Sequence, residues 1–137
     1  MPLAWPLFDL RVVTPALTLR LPTDVELMQI AERAVGRVVA PAQAEFMGAW
    51  TQLPSPEFER GFMQFHWGAR AGWAPERWWL ELAVVPDGED EAVGMAGLHT
   101  EDFPTTGLAS TGSWLLPEAR GRGLGKEARS ALLHLLF

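Results

Sequence analysis

Gly112-Ser113-Trp114-Leu115-Leu116-Pro117-Glu118-Ala119-Arg120-Gly121-Arg122-Gly123-Leu124-Gly125-Lys126-Glu127-Ala128-Arg129 is the stretch on which the fold turns. The apolar run Trp114-Leu115-Leu116 halts at Pro117 and good helix formers resume at Leu124, so the spacing predicts a strand, a glycine-rich turn and the start of a helix. Glycines at 121, 123 and 125 permit positive φ and let the backbone come close to a ligand. The new helix presents unpaired N–H groups and the positive end of its dipole, which suits an anion, most often phosphate. Arg120, Arg122 and Lys126 add three cations to the same bend.

Spacing excludes two common phosphate loops. A Walker A loop wants glycine where Arg120 stands and Ser or Thr where Glu127 stands. A dinucleotide fingerprint laid on Gly123-Leu124-Gly125-Lys126-Glu127-Ala128 wants an acidic residue about twenty positions later, past Phe137. Arg-x-x-Gly-x-Gly at Arg120, Gly123 and Gly125 does fit. Here the chain resembles the GNAT superfamily of acyl-CoA-dependent N-acetyltransferases. Their motif is Gln or Arg, two residues, Gly, one residue, then Gly or Ala, between the family's fourth strand and third helix. The longer phrase from Trp114 to Ala128 is similar to the branch that includes the ribosomal-protein N-terminal acetyltransferases. With a weaker upstream pattern, the resemblance runs from about Leu17 to Phe137.

The resemblance implies an α/β (α+β) fold with a mixed, mostly antiparallel central sheet flanked by helices. It also implies that this sequence is C-terminally incomplete, because the family continues with a fifth strand, a fourth helix and a closing hairpin. The last helical stripe, Ala128, Ala131, Leu132, Leu135 and Leu136, ends at Phe137 without glycine, basic last turn or cap. A fragment, a truncated product, or half of a homo-oligomer whose second copy completes the sheet are the three expectations for that ending.

As the resemblance has it, acetyl-CoA is the co-substrate and no metal takes part. The pyrophosphate falls to the amides of Arg120, Gly121, Arg122, Gly123, Leu124, Gly125 and Lys126, and the pantetheine arm to the backbone of Trp114, Leu115 and Leu116. An N–H of Leu115 or Leu116 then polarises the acetyl carbonyl. The acceptor amine attacks only when neutral, so a base must take its proton. Many relatives carry that base as Glu on the strand before the loop, but Ser110 occupies the position here. Glu101 and Asp102, at the end of the preceding strand with His99 behind them, are the nearest carboxylates and the expected catalytic residues. The family's thiolate-protonating Tyr comes from the segment beyond Phe137, and this chain contains no Tyr. The expected reaction is acetyl transfer to a primary amine, either a protein N-terminus or a small molecule. The second reading is a non-catalytic or truncated module that binds acyl-CoA or a partner chain.

Composition sets the bounds. One domain over 1–137, 48% hydrophobic with seven Trp and seven Phe, has enough apolar mass for a core of large rings. Without cysteine there is no disulfide frame, thiol nucleophile or zinc-thiolate site, which is compatible with a reducing cytoplasm. The opening Met1-Pro2-Leu3-Ala4-Trp5-Pro6 lacks the basic start of a signal peptide, and no apolar run approaches the ~20 residues of a membrane span. Net charge is −6, yet from Pro117 onward four cations face only two carboxylates. A cationic corner on an acidic body suits a phosphorylated cofactor and a cationic acceptor, and argues against nucleic acid.

Upstream, Leu17, Leu19 and Leu21 alternate with Thr18 and Arg20 as a first half-buried strand, after Phe8 to Val13 and the Thr14-Pro15 turn. Thr23 or Asp24 caps a first helix over roughly Asp24 to Val35. Arg37 to Pro54 shows no period; the resemblance places Phe46, Met47 and Trp50 at the acceptor pocket, and packing as loop anchors is the other reading. Ser55-Pro56-Glu57 opens a second helix with a stripe of Phe58, Phe62, Phe65 and Ala69, beside which His66 reads as structural. Trp78 to Val85 and Ala92 to His99 form a hairpin across the acidic Asp87 to Glu91 turn. Gly94 and Gly97 inside a strand predict a close approach by a neighbour or ligand. Ala109 to Leu116 supplies the next strand.

Overall fold

Alternating apolar residues at Leu17 and Leu19, and again at Leu80, Leu82 and Val84, place one side chain in two on each face of a sheet. The computed structural model describes residues 3–38 and 49–137. Strands β1 (Arg11–Val13) and β2 (Leu17–Arg20) form a hairpin. Helices α1 (Asp24–Ala34) and α2 (Glu57–Ala71) follow, then β3 (Arg77–Pro86) and β4 (Gly94–Glu101). A one-turn helix α3 (Phe103–Thr106), β5 (Ser110–Leu115) and α4 (Leu124–Leu136) complete the described chain. The sheet order is β1-β2-β3-β4-β5, and every described pairing is antiparallel. The strand expected first is therefore second. Three residues, Arg11–Val13, are too few for the period of alternation to show, and they become a strand only by pairing with Thr18–Arg20.

The sheet separates two cores. On one face Leu17, Leu19, Leu80, Leu82, Val84, Ala96 and Leu98 meet Leu124, Ala128, Ala131 and Leu132 of α4. On the other, Ala83, Val85, Met95 and Leu116 meet Leu27, Ile30, Ala31 and Ala34 of α1 and Phe58, Phe62 and Met63 of α2. Each fully buried leucine or phenylalanine contributes about 1.5–3 kcal/mol relative to exposure. With both faces covered, β3 must be apolar almost throughout.

Local chemistry fixes the helix starts. Thr23 Oγ1 accepts from the Glu26 N–H at 3.2 Å, and the Glu26 carboxylate accepts from the Thr23 N–H at 3.1 Å, a complete capping box. Glu26 also holds Arg20 of β2 through a paired contact, with 2.7 Å from Nη1 to Oε1, which ties the helix to the sheet. Glu127, in the first turn of α4, reaches the β1–β2 turn, where its carboxylate accepts from the Ala16 N–H at 2.8 Å and from the Thr14 hydroxyl. That contact fixes the start of α4, and the bend before it, against the far end of the sheet.

Candidate functional site

At the end of β5, Leu116 is fully buried and Pro117–Ala119 make one 3-10 turn. Gly121 and Gly123 adopt φ of 78° and 76°, a left-handed region costly to any residue with a Cβ. Gly123 caps α4 with no side-chain hydrogen bond to its first amides. From Gly121 to Lys126, six consecutive backbone N–H groups have no acceptor among the described residues. A Cβ built at Gly121 or Gly123 would meet nothing within 4 Å, so the bend is open on its outer side. Lys126 is exposed there. The result is a row of unpaired donors at a helix start, with room for an anion.

The cations of the bend are not equivalent. Arg120 turns inward: its guanidinium donates to the Leu115 carbonyl at 3.3 Å and to the carbonyl of Val38, beyond the end of α1. Its side chain thus fastens the bend to the α1 face. Arg122 pairs with Glu89 of the β3–β4 turn at 3.1 Å, both half-exposed. Leu116 also departs from expectation, because its N–H is committed to the Val93 carbonyl at 2.7 Å. Alternation along the strand turns the Leu115 N–H the other way, to the edge of the sheet.

The strand that runs into the bend also forms one wall of a cavity of about 470 Å³ on the α1–α2 face. Gly112, Ser113 and Trp114 of β5 line it, with Glu81 of β3 and Met95 of β4 as floor and Phe58, Phe62, Phe65 and His66 of α2 opposite. Trp50, Leu53 and Trp79 close its rim. The rings brace one another: Trp50 stacks on Phe58 with centroids 5.8 Å apart, and Phe65 meets Trp79 edge-on at 5.0 Å. The volume lies within the range typical of small-molecule sites.

Glu81 is the anomaly of this cavity. Its neighbours Leu80, Leu82, Ala83, Val84 and Val85 are buried and apolar, whereas Glu81 points into the aromatic space. It stands directly opposite Gly97 in the β3–β4 register. A methyl group at 97 would lie 2.5 Å from both the Cδ and the Oε1 of Glu81, so the carboxyl occupies the place of the missing side chain. Burial alone pushes it from the usual 4.5 up to about 7. His66, 4% exposed, is held down to about 4 by burial and, secondarily, by the Arg70 charge, so it is neutral at pH 7. Behind both groups lies a niche of about 10 Å³, which Arg70 and Trp5 also face.

The carboxylates nominated from sequence lie elsewhere. Glu101 is exposed and bound to Arg77, 2.7 Å from Nη2, with His99 Nε2 4.0 Å away. Asp102 is exposed in a left-handed turn at φ 51°, and its carbonyl accepts from Thr105 and Thr106 as α3 begins. Neither lines the cavity. Trp50 does, while Phe46 and Met47 fall outside the described residues. Sequence reasoning passed over Glu81, although a single acid inside an otherwise apolar strand, paired in register with a glycine, was the available signal.

Among the described residues, an antiparallel sheet with β5 at its edge, a donor-lined bend at the end of that strand and an adjoining cavity make up an α/β domain. The sequence pattern of the family described as acetyltransferase (GNAT) domain matches residues 16–137, and the chain belongs to that family. Its fold is similar to the solved structure of a protein from Vibrio cholerae, provisionally assigned as a ribosomal-protein-serine acetyltransferase. The TM-score is 0.59 at 24% identity, over 95% of this chain and 68% of that one. No helix among the described residues is long and apolar enough to cross a membrane.

Proposed function

We propose that this chain transfers an acetyl group from acetyl-CoA to a primary amine. The observation that carries the reading is the run of six amides from Gly121 to Lys126 without an acceptor among the described residues, with open space beside Gly121 and Gly123, at the end of the strand that walls the cavity. Those amides and the α4 dipole receive the diphosphate, and Lys126 adds a positive charge without an ion pair to any described residue. The pantetheine arm lies along the free edge of β5, with the thioester facing Ser113 and Trp114. There the Leu115 N–H stabilises the oxyanion that forms when nitrogen attacks the acetyl carbon. Holding amine and thioester together in the cavity supplies much of the remaining acceleration. The absence of cysteine suits a reducing cytoplasm.

Thermal denaturation with and without coenzyme A tests the ligand site. Coenzyme A should raise Tm in the wild type, and Gly123→Val, which places a branched side chain at φ 76°, should abolish the rise. Release of free thiol from acetyl-CoA with an amine present tests the transfer. Coenzyme A stabilisation with no thiol release from any amine would make the chain a binding module. No stabilisation at all would refute the site.

A further inference from the structure

The character of the cavity restricts the acceptor. Its lining is dominated by six aromatic rings with Leu53 and Met95, Ser113 adds a hydroxyl, and the titratable groups among its described lining residues are Glu81 and His66. His66 is neutral at pH 7, so the described lining carries at most one charge, on Glu81. The titratable and charged groups that share a lining with Glu81 are His66 and Arg70 of α2, while His99, across the hairpin, packs its ring on Trp79 at 4.5 Å. No described residue offers Glu81 a hydrogen bond or ion pair.

We propose that the aromatic cavity binds a primary amine with an apolar, preferably aromatic, body and a single ammonium head, and that Glu81 receives this head and takes its proton. This rests on the acetyl-transfer reading above. A peptide N-terminus would bring several amide groups against a wall that is mostly apolar ring surface, and a polyamine would bring a second cation to it, so both are disfavoured. An apolar amine buries its body against Phe58, Phe62, Trp79 and Trp114 and places one cation on Glu81, the carboxylate among the described lining residues, where the surrounding rings add cation–π attraction. Glu81 gains in this way the counter-charge it lacks in the free protein.

The chemistry balances. The ammonium gives one proton to the Glu81 carboxylate, and the freed lone pair forms the C–N bond to the acetyl carbon. As the tetrahedral intermediate collapses, the C–S pair leaves on sulfur, which takes the second proton from nitrogen. The products are the N-substituted acetamide and coenzyme A thiol, and Glu81 returns its proton to water through the cavity mouth. A carboxyl that titrates near 7 suits this exchange at neutral pH.

Thiol release is measured on the full chain with 2-phenylethylamine, tryptamine, spermidine and a serine-initiated hexapeptide. Quenching of tryptophan fluorescence by 2-phenylethylamine, without acetyl-CoA, reports binding near Trp50, Trp79 and Trp114. The aromatic amines should give kcat/KM at least tenfold above spermidine and the peptide. Glu81→Gln should lower kcat at least a hundredfold, remove the ionisation near pH 7 from the rate profile and weaken quenching. Gly97→Ala displaces the carboxyl and should act in the same direction. Both variants should keep their stabilisation by coenzyme A, which shows that they fold. Preference for spermidine or the peptide, or a Glu81→Gln variant with unchanged rate and profile, overturns the proposal. If no amine releases thiol, the transfer reading fails separately, and the quench then decides: quenching that requires Glu81 upholds the acceptor site, and quenching indifferent to Glu81→Gln, or absent, sinks it.

Discussion

Replacing Glu81 by Gln removes one ionisable group from the cavity floor while keeping its shape, and the consequence for stability can be worked out from burial alone. The folded carboxyl titrates at about 7 against 4.5 in the open chain. Across that interval the folded protein holds a proton that the unfolded chain has released, so stability falls as pH rises and levels off above 7. At about 1.4 kcal/mol per pH unit, the loss is on the order of 3 kcal/mol. His66 works the other way. Held at about 4 in the fold, it forces the folded protein to refuse a proton that the unfolded chain accepts below 6.5, so its contribution rises with pH from 4 to 6.5. The two slopes oppose each other between pH 4.5 and 6.5, and the wild type should show little net dependence from this pair. Glu81→Gln exposes the His66 slope, with stability climbing toward pH 6.5, and His66→Phe exposes the falling Glu81 slope. Urea unfolding at half-unit intervals from pH 4.5 to 7.5, with m held common, measures both. A wild-type minus Glu81→Gln difference that stays constant within about 0.5 kcal/mol across that range refutes the claim that Glu81 is buried without a counter-charge.

Other expectations concern the frame around the site. A Cβ at Gly94 would collide with the Trp114 carbonyl oxygen and lie 2.9 Å from the Leu115 Cα. Because those atoms are backbone, Gly94→Ala should cost about 3 kcal/mol, read as a lower urea midpoint, whereas Gly97→Ala meets only the end of a side chain and should cost less than about 1.5 kcal/mol. Equal costs at the two positions would contradict the register of the β4–β5 pair. Thr23→Ala removes half of the capping box and should lower stability by about 1 kcal/mol, or about 4 °C in Tm. Leu132→Ala, in the fully buried seam between α4 and the sheet, should cost 2–5 kcal/mol by calorimetry or urea titration.

Much of the architecture was legible because the signals were local. Proline at 117 and glycines at 121 and 123 announced the bend, and the alternation at Leu80, Leu82 and Val84 announced β3. Thr23 or Asp24 as N-cap marked the start of α1 within a residue of where it lies. The two strand glycines were anticipated as points of close approach, and both are: the backbone of β5 crowds Gly94 and the Glu81 carboxyl covers Gly97. The direction of a side chain was not legible. Arg120 was expected to offer its amide to the pyrophosphate, but its N–H donates to the Pro117 carbonyl at 3.2 Å and its guanidinium to the Val38 carbonyl, eighty-two positions earlier. Leu116 looked as eligible as Leu115 until the β4 pairing took its N–H.

By itself the sequence determined most of the elements from Leu17 onward, the glycine-rich bend and the family, since each depends on residues a few positions apart whose spacing sets backbone conformation. Only the tertiary structure decided which carboxylate faces the aromatic cavity. Glu101, Asp102 and Glu81 are alike as residues, and what distinguishes them is their surroundings. Two sit in water at a strand end, and one lines a cavity among aromatic rings contributed by α2, β3, β5 and the segment before α2. Desolvation is a property of everything packed around a group, and it exists only once strands and helices distant in the chain have closed over it.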